Sequence, residues 1–419
     1  MGPPPIPKTQ PPMWIKSIKV DNFKSLVDFQ LDLAHFTCLI GLNGSGKSTV
    51  LQCLDFLGQL MRGDLKGWLD RRGWETSDLR SKLKRGTTID FDIRLGLNGC
   101  DDEIWWTGKF DTGELRCAEE TVKTSRETLK SRGGDFHVDN HDNPWNLRVS
   151  NPVEFTYQGS ILSQLKDSFL GASKSEGAKV SLLDVKTFVA GMRSLDLLSP
   201  ESLKKHARKS DGSLGLGGER LPAFLHEMGQ GRREGLFKRL KEVYPQLADL
   251  NAKALRSGLK QLEISESYDG KSFVTEARHI NDGMLRLIAI LAELQGDGGV
   301  AVFEEIENGI NPELVKFLID AMTSAKRQVV VTTHSPMILN YLTDDIAKAG
   351  VMYLYKTPAG ATRAVPFFSI PSLAEKLEVM GPGEAFVDTN LTQLADEIAR
   401  MPKTETRDDV LPVQRRRGH

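Results

Sequence analysis

Apolar and polar residues alternate through "WIKSIKVDNFKSL" and again through "VDFQLDLAHFTCLIG", the period-two pattern of a half-buried sheet. The period then lengthens to that of a helix, predicted from about Lys47 to Leu60. A charged, tryptophan-containing connection follows, "RGDLKGWLDRRGWETSDLRSKLKRG". Beyond it, "TTIDFDIRLGL", "DEIWWTGKF" and "GELRCAEET" predict antiparallel strands. Residues 124–150, rich in Gly, Asn and Asp, predict a loop. From about Pro152 to Asp249 the pattern is helical, broken by "ARKSDGSLGLGGE". Strands return at "LKQLEISES", "KSFVTEARH" and the apolar "GGVAVFEE". The helix "NPELVKFLIDAMTSA", the strand "RQVVVTTHS" and a closing pair, "AGVMYLYKT" and "ATRAVPFF", complete the order. Short apolar strands alternating with helices predict a mostly parallel α/β sheet in the second half. The proline-rich "MGPPPIPKTQPP" and the basic end after Met401 are expected to be flexible.

The stretch "HINDGMLRLIAILAEL" (residues 279–294) poses a question. Asn281 or Asp282 is a good N-cap, and Met284, Leu285, Leu287, Ile288, Ile290, Leu291 and Leu294 supply a wide apolar face. That explains a helix start and nothing more.

Composition narrows the class. A chain of 419 residues, 39 % hydrophobic and 26 % charged, can bury one large or two ordinary cores. Its net charge of −1 argues against a generally basic nucleic-acid coat and leaves only a local strip. Cys38, Cys53, Cys100 and Cys117 lack CxxC spacing, so reduced, buried thiols are expected rather than a disulfide frame or a zinc site. No apolar run is long enough to span a bilayer and no secretory leader is evident, which points to a cytoplasmic protein without a membrane partner.

Three motifs carry chemistry. "GLNGSGKST" (residues 41–49) fits the phosphate-loop pattern and follows the strand "HFTCLI" directly. There the backbone N–H groups of Asn43, Gly44, Ser45, Gly46 and Lys47 would wrap a β-phosphate, with Thr49 closing the motif. Lys47 would reach the β- and γ-phosphates of ATP, and the Ser48 hydroxyl would hold Mg²⁺. In "VAVFEEIENGINP" a four-residue apolar strand delivers Glu304 and Glu305 to its carboxyl end. The first can hold Mg²⁺; the second can polarise the water that attacks the γ-phosphate. "VVVTTHS" ends in His334, placed one strand further on to reach that phosphate.

The order of these motifs, with "INDGM" about twenty residues before the glutamate pair, is that of ABC-type ATPases. The chain resembles the prokaryotic AAA-family ATPases of the SMC/RecF-like ABC group, which includes antiphage ATPases of the overcoming-lysogenization-defect, Septu and PARIS types. "IKSIKVDNFKSL" resembles that family's N-terminal strand. "LNGSGKST", "INDGMLRLIAILAEL", "FEEIENGINP" and "VVVTTHSPMILN" are similar to its successive motifs, so the likeness covers residues 13–370. Departures are Glu304-Glu305 for the common Asp-Glu, Ile306 for a usual proline, and Asn311 where many relatives have histidine before Pro312.

The resemblance implies an ABC-type ATPase head with a mixed-sheet core, an N-terminal antiparallel β subdomain and a helical lid insertion. Lobe I would run over 13–150, the lid over 151–279 and lobe II over 280–400. It also implies that Asn281 and Gly283 form a signature motif that binds the γ-phosphate of ATP held by the other subunit. Gly283→Arg is expected to fold and to block closure. Gln158 in "FTYQGS" is the implied glutamine contact to Mg²⁺.

A homodimer that closes on two ATPs follows from the resemblance. The expected role is the sensor ATPase of an antiphage defence system. It would control a separate effector nuclease or toxin, because the eighty-odd residues after His334 are too few for a nuclease domain. A DNA-repair clamp binding double-stranded DNA is the alternative, and an ATP-bound scaffold sequestering a toxin a third reading. Trp68, Arg71, Arg72 and Trp74 are either a DNA or partner contact or a solvated loop with its tryptophans tucked inward.

Overall fold

The computed structural model describes residues 13–98, 100–133, 135–141, 157–167, 180–195, 198–296 and 299–400. The ends expected to be flexible, 1–12 and 401–419, lie outside the described residues.

Two sheets organise the head. The N-terminal one is antiparallel and contains β1 (Met13–Asp21), β2 (Phe29–Asp32), β4 (Thr88–Leu97), β5 (Cys100–Asp111), β6 (Arg116–Lys123), β7 (Glu127–Arg132) and β8 (Asp135–Asn140) in the order β2-β1-β4-β5-β6-β7-β8. The last two strands take up the described part of the loop expected over 124–150, of which 134 and 142–150 lie outside the described residues. Leu129 and Phe136 are the buried positions of a hairpin that turns at Gly133, whose φ is +62°. Polar residues at the other positions hid the alternation.

The core sheet is built from β3 (Phe36–Ile40), β9 (Arg193–Leu195), β13 (Val300–Phe303), β14 (Gln328–Thr332), β15 (Val351–Lys356) and β16 (Thr362–Pro366), in the order β16-β15-β3-β14-β13-β9. Only β16 runs antiparallel to its neighbour. Period-two alternation splits these strands between two cores. Val300, Val302, Val330 and Leu354 join the apolar cluster around the N-terminal sheet, while Ala301, Phe303, Val331 and Tyr353 join the one under the second lobe. A sheet packed on both faces explains why these strands are nearly continuous apolar runs.

Buried Gln328 ties the two sheets together. Its Oε1 accepts from Ile15 N (2.8 Å), and its Nε2 donates to the carbonyls of Ile15 and Ala34 (2.9 Å each). The amide stands in for a missing strand at the β1 bulge between Ile15 and Ser17.

The insertion differs from a helical lid over 151–279. Ser160 N bonds Leu60 O at the end of the first long helix, the helix Leu182–Ala190 packs on that same helix, and β9 enters the core sheet beside β13. Residues 157–167 and 180–195 therefore belong to the head. The rest of the insertion, residues 198–279, packs on the second lobe through the helix Asp282–Leu294. It carries short helices and a separate antiparallel sheet of β10 (Leu247–Ala254), β11 (Lys260–Tyr268) and β12 (Lys271–Glu276). Among the described residues, no helix is long and apolar enough to cross a membrane. Cys38, Cys53 and Cys117 are free and buried.

Candidate nucleotide site

Strand β3 is buried at every position and lies between β14 and β15. It ends at Gly41, whose φ of +147° and a would-be Cβ only 2.3 Å from Leu354 O exclude any side chain. Five residues later Gly46, at φ +108°, opens α1 (Lys47–Arg62), and a Cβ there would stand 2.3 Å from Thr362 Oγ1. No side chain caps α1, so the first N–H groups of a 16-residue helix face the loop's interior with no capping acceptor. Ser45 Oγ is buried there without a hydrogen-bond partner. The loop is shaped for an anion.

Lys47 is buried beneath this loop and donates to the carbonyls of Gly41 (2.9 Å) and Leu42 (3.2 Å). Burial pushes its ammonium below the ordinary lysine value, while Glu305 and Glu304 act in the opposite sense. Ser48 Oγ donates to Glu304 Oε1 across 256 residues of sequence. These two oxygens are the hard donors that Mg²⁺ takes. Among the described residues no group of three His, Cys, Asp or Glu side chains could hold a metal alone. A Mg²⁺ ion here would need phosphate oxygens to complete its shell, which is how such ions sit with nucleotides.

Glu305 follows β13 at φ +46°, a left-handed conformation that is costly for a residue with a side chain. Three contacts hold it. Its N–H donates to Thr332 Oγ1 (2.9 Å), its carbonyl accepts from Asn308 N (3.0 Å), and its Oε2 accepts from Asn308 Nδ2 (2.5 Å). His334 is exposed, with Nε2 4.0 Å from Glu305 Oε1. Its backbone N–H is fixed by Glu307 Oε1 (2.8 Å).

One cleft of about 220 Å³ thus brings together Asn43, Gly44, Gly46, Lys47, Ser48 and Thr49 with Glu304, Glu305 and His334. Sequence reasoning missed its other walls. Ser25, Thr332 and Lys356 also line it. Thr362 Oγ1 donates to Ser45 O (3.0 Å), accepts from Lys356 Nζ (2.9 Å) and lies 2.9 Å from Ser25 Oγ. The one sequence signal for Lys356 was a lysine at the end of a buried strand beside the phosphate-loop strand.

One expectation fails here, and one pair of alternatives is narrowed. Gln158 lies at the far end of α1, where Oε1 accepts from Lys66 N (2.9 Å). Sixteen helical residues, roughly 24 Å of rise, separate that end from Ser48's, so Gln158 cannot ligate a metal there. The connection "KGWLDRRGWE" follows the second of its two readings, with its tryptophans tucked inward, and most of it is a helix, α2 (Leu65–Arg72), rather than a loop. Trp68 Nε1 donates to Asp55 Oδ2 (2.6 Å), and the buried Arg72 side chain bonds the same carboxylate (2.8 Å) between the rings of Trp68 and Trp74. Of Trp68, Arg71, Arg72 and Trp74, only Arg71 is exposed, paired with Asp64.

Asn281 and Gly283 stand outside this cleft. Asn281 caps the helix Asp282–Leu294 through Oδ1 to Met284 N (2.7 Å). Gly283 is required within its own chain, because a Cβ there would approach Gly309 O to 2.8 Å. The expectation that Gly283→Arg folds undisturbed is therefore corrected. The arginine would push directly on the loop that carries Glu305.

A phosphate loop on a parallel core sheet, carboxylates ending the next strand but one and a histidine ending the strand between them make up a candidate nucleotide-binding head. Solved structures agree on the fold. An SMC head bound to the C-terminal winged-helix domain of ScpA is 16 % identical with a TM-score of 0.51, over 84 % of this chain and 97 % of that one. An SMC head from Pyrococcus furiosus, bound to the C-terminal domain of ScpA, is 12 % identical with a TM-score of 0.51, over 87 % and 100 %. Residues 36–340 match the family described as "AAA domain, putative AbiEii toxin, Type IV TA system", and the chain belongs to it. The OLD nuclease of Thermus scotoductus is 29 % identical over 125 residues, which are 30 % of this chain and 20 % of that protein. The chain thus spans about a fifth of that relative's length.

Proposed function

We propose that the protein is a dimeric switch ATPase, the sensor subunit of an antiphage defence system, and that its ATP state controls a separate effector nuclease or toxin. The observation that carries the ATPase reading is the cleft itself. Lys47, Ser48, Glu304, Glu305 and His334 come from three separate segments and meet where an uncapped helix presents its N–H groups. Lys47 binds the β- and γ-phosphates, Glu305 takes a proton from the attacking water, and His334 contacts the γ-phosphate. Ser48 and Glu304 would hold Mg²⁺, which when bound neutralises charge on the phosphate oxygens.

The second subunit enters through Asn281 and Gly283. Asn281 is exposed, and neither residue lines the chain's own cleft. A contact with a partner's γ-phosphate adds a second role to a polar residue and a glycine that already cap the helix and seat it on the Gly309 loop. The family's description names a putative toxin and a type IV TA system beside its AAA domain, which supports a role connected with a toxin. A clamp on double-stranded DNA is the competing reading, favoured by the likeness to SMC heads.

Purified Glu305→Gln should bind ATP, form a stable closed dimer and lose about 10²–10⁴ in hydrolysis rate. Hydrolysis at the wild-type rate would remove Glu305 from the base role. Steady-state ATPase activity with and without double-stranded DNA separates the two biological readings. Indifference to DNA favours the partner-controlled switch, and strong stimulation favours the clamp.

A further inference from the structure

We propose that Arg286 and Asn308 are positioning residues, linking the signature-bearing helix to Glu305 so that a load on the helix's N-terminus changes the geometry of the base. The inference rests on the reading of Glu305 as the base and adds how that base is regulated.

The link is short and continuous. Arg286 lies in the first turns of the helix Asp282–Leu294, and its Nη1 donates to the backbone oxygen of Asn308. The Asn308 side chain then donates through Nδ2 to Glu305 Oε2 (2.5 Å). One residue further on, the backbones of helix and loop nearly touch. A Cβ on Gly283 would stand 2.8 Å from Gly309 O, and a Cβ on Gly309, at φ +66°, would stand 3.1 Å from Arg286 Nε. The two glycines leave no slack between helix end and loop, so a shift of one displaces the other.

Arg286 is not needed there for its own comfort. Its Nε is buried and has no hydrogen-bond partner among the described residues. Burial pushes its guanidinium below the ordinary arginine value, with Asp282 opposing the shift. A helix position chosen only for packing would carry an apolar side chain, since a buried donor left unmade is costly. The loop needs the support. Glu305 is held in the left-handed region, and the contacts that keep it there come from Thr332 and Asn308.

The helix end also has a second handle. Lys204, on the insertion, pairs with Asp282 at 2.6 Å. Whatever grips Asn281-Asp282-Gly283, a nucleotide on a second copy or a movement of the insertion, pulls on the element that Arg286 ties to the base.

The test uses the full chain. Arg286→Ala and Asn308→Ala should each lower kcat for ATP by at least about tenfold, while KM and ATP affinity stay within about twofold. Arg286→Lys should recover part of the rate, because an ammonium can donate to the same carbonyl. In a Glu305→Gln background neither alanine change should lower the residual rate further, since residues acting through one group are not additive. Wild-type kcat in Asn308→Ala, a KM that rises with the loss of kcat, or additive losses on top of Glu305→Gln would overturn the proposal. If Arg286→Ala fails to fold, Asn308→Ala and Arg286→Lys carry the same test. Wild-type hydrolysis by Glu305→Gln alone would instead overturn the base reading beneath it, a distinguishable result.

Discussion

Two helix N-termini face opposite tasks in this head. The one at Lys47 has no side-chain cap, follows a glycine at φ +108°, and lies over a buried lysine. The one at Asp282 is capped by the chain's own Asn281 and carries Gly283 against the Gly309 carbonyl. Both have the dipole that favours an anion. Only the first has donors free of a capping side chain. The difference teaches that an anion site needs its donors unsatisfied within the fold, which in turn requires the surrounding structure to hold the loop open. Around α1 that support comes from Thr362, Ser25 and Lys356. At the second terminus, Asn281 must exchange Met284 N for a new partner before it can serve a phosphate. That exchange suits a contact made only on closure.

The contrast can be broken at several points. Lys47→Ala should have the largest effect, lowering ATP affinity by about 10²-fold in isothermal titration calorimetry, because the phosphate charge then lacks its buried counter-charge. Affinity within twofold of wild type would mean that the open helix end alone binds the nucleotide.

Gly46→Ala and Gly44→Ala separate steric from conformational need. A Cβ on Gly46 meets Thr362, whereas one on Gly44, at φ +76°, meets nothing within 4 Å. Gly46→Ala should abolish the thermal shift produced by ATP. Gly44→Ala should cost only the left-handed penalty of about 1–2 kcal/mol. Equal losses would show that the Thr362 brace is irrelevant.

At the second terminus, Gly283→Ala should cost about 1–3 kcal/mol of stability by overpacking against Gly309 O, read by urea unfolding. No loss would mean that helix and loop separate freely. The smallest effect is expected from Asn281→Ala, about 1 kcal/mol for the lost cap, with Asn281→Ser close to neutral. A much larger loss would make that terminus a structural anchor.

Contiguous chemistry was the most legible. The phosphate loop declares itself because each position has a steric or charge requirement at fixed spacing, and Glu304-Glu305 follows a four-residue apolar strand that only a buried sheet explains. Elsewhere, local composition misled. "KGWLDRRGWE" has the aromatic and basic content of a binding surface, yet Asp55, thirteen residues before Trp68, draws both the indole and Arg72 inward. Gln158 ends a segment that resembled the required loop, but the chain docks it at the wrong end of α1. The hairpin β7–β8 escaped notice because its buried face is only two or three residues long.

By itself, then, the sequence determined the identity of the chemical groups and the order of the elements that carry them. Spacing within a motif is covalent and can be read directly. Tertiary structure alone decided which distant residues share the cleft. Ser25 and Thr362, 337 residues apart, meet because β3 pairs with β15 in the core sheet although the two strands come from opposite ends of the chain. It also decided that Asn281 caps a helix, Gly283 touches Gly309, and Arg286 reaches Asn308. Those contacts depend on how one helix seats against one loop, a matter of packing to a fraction of an ångström that no local pattern encodes.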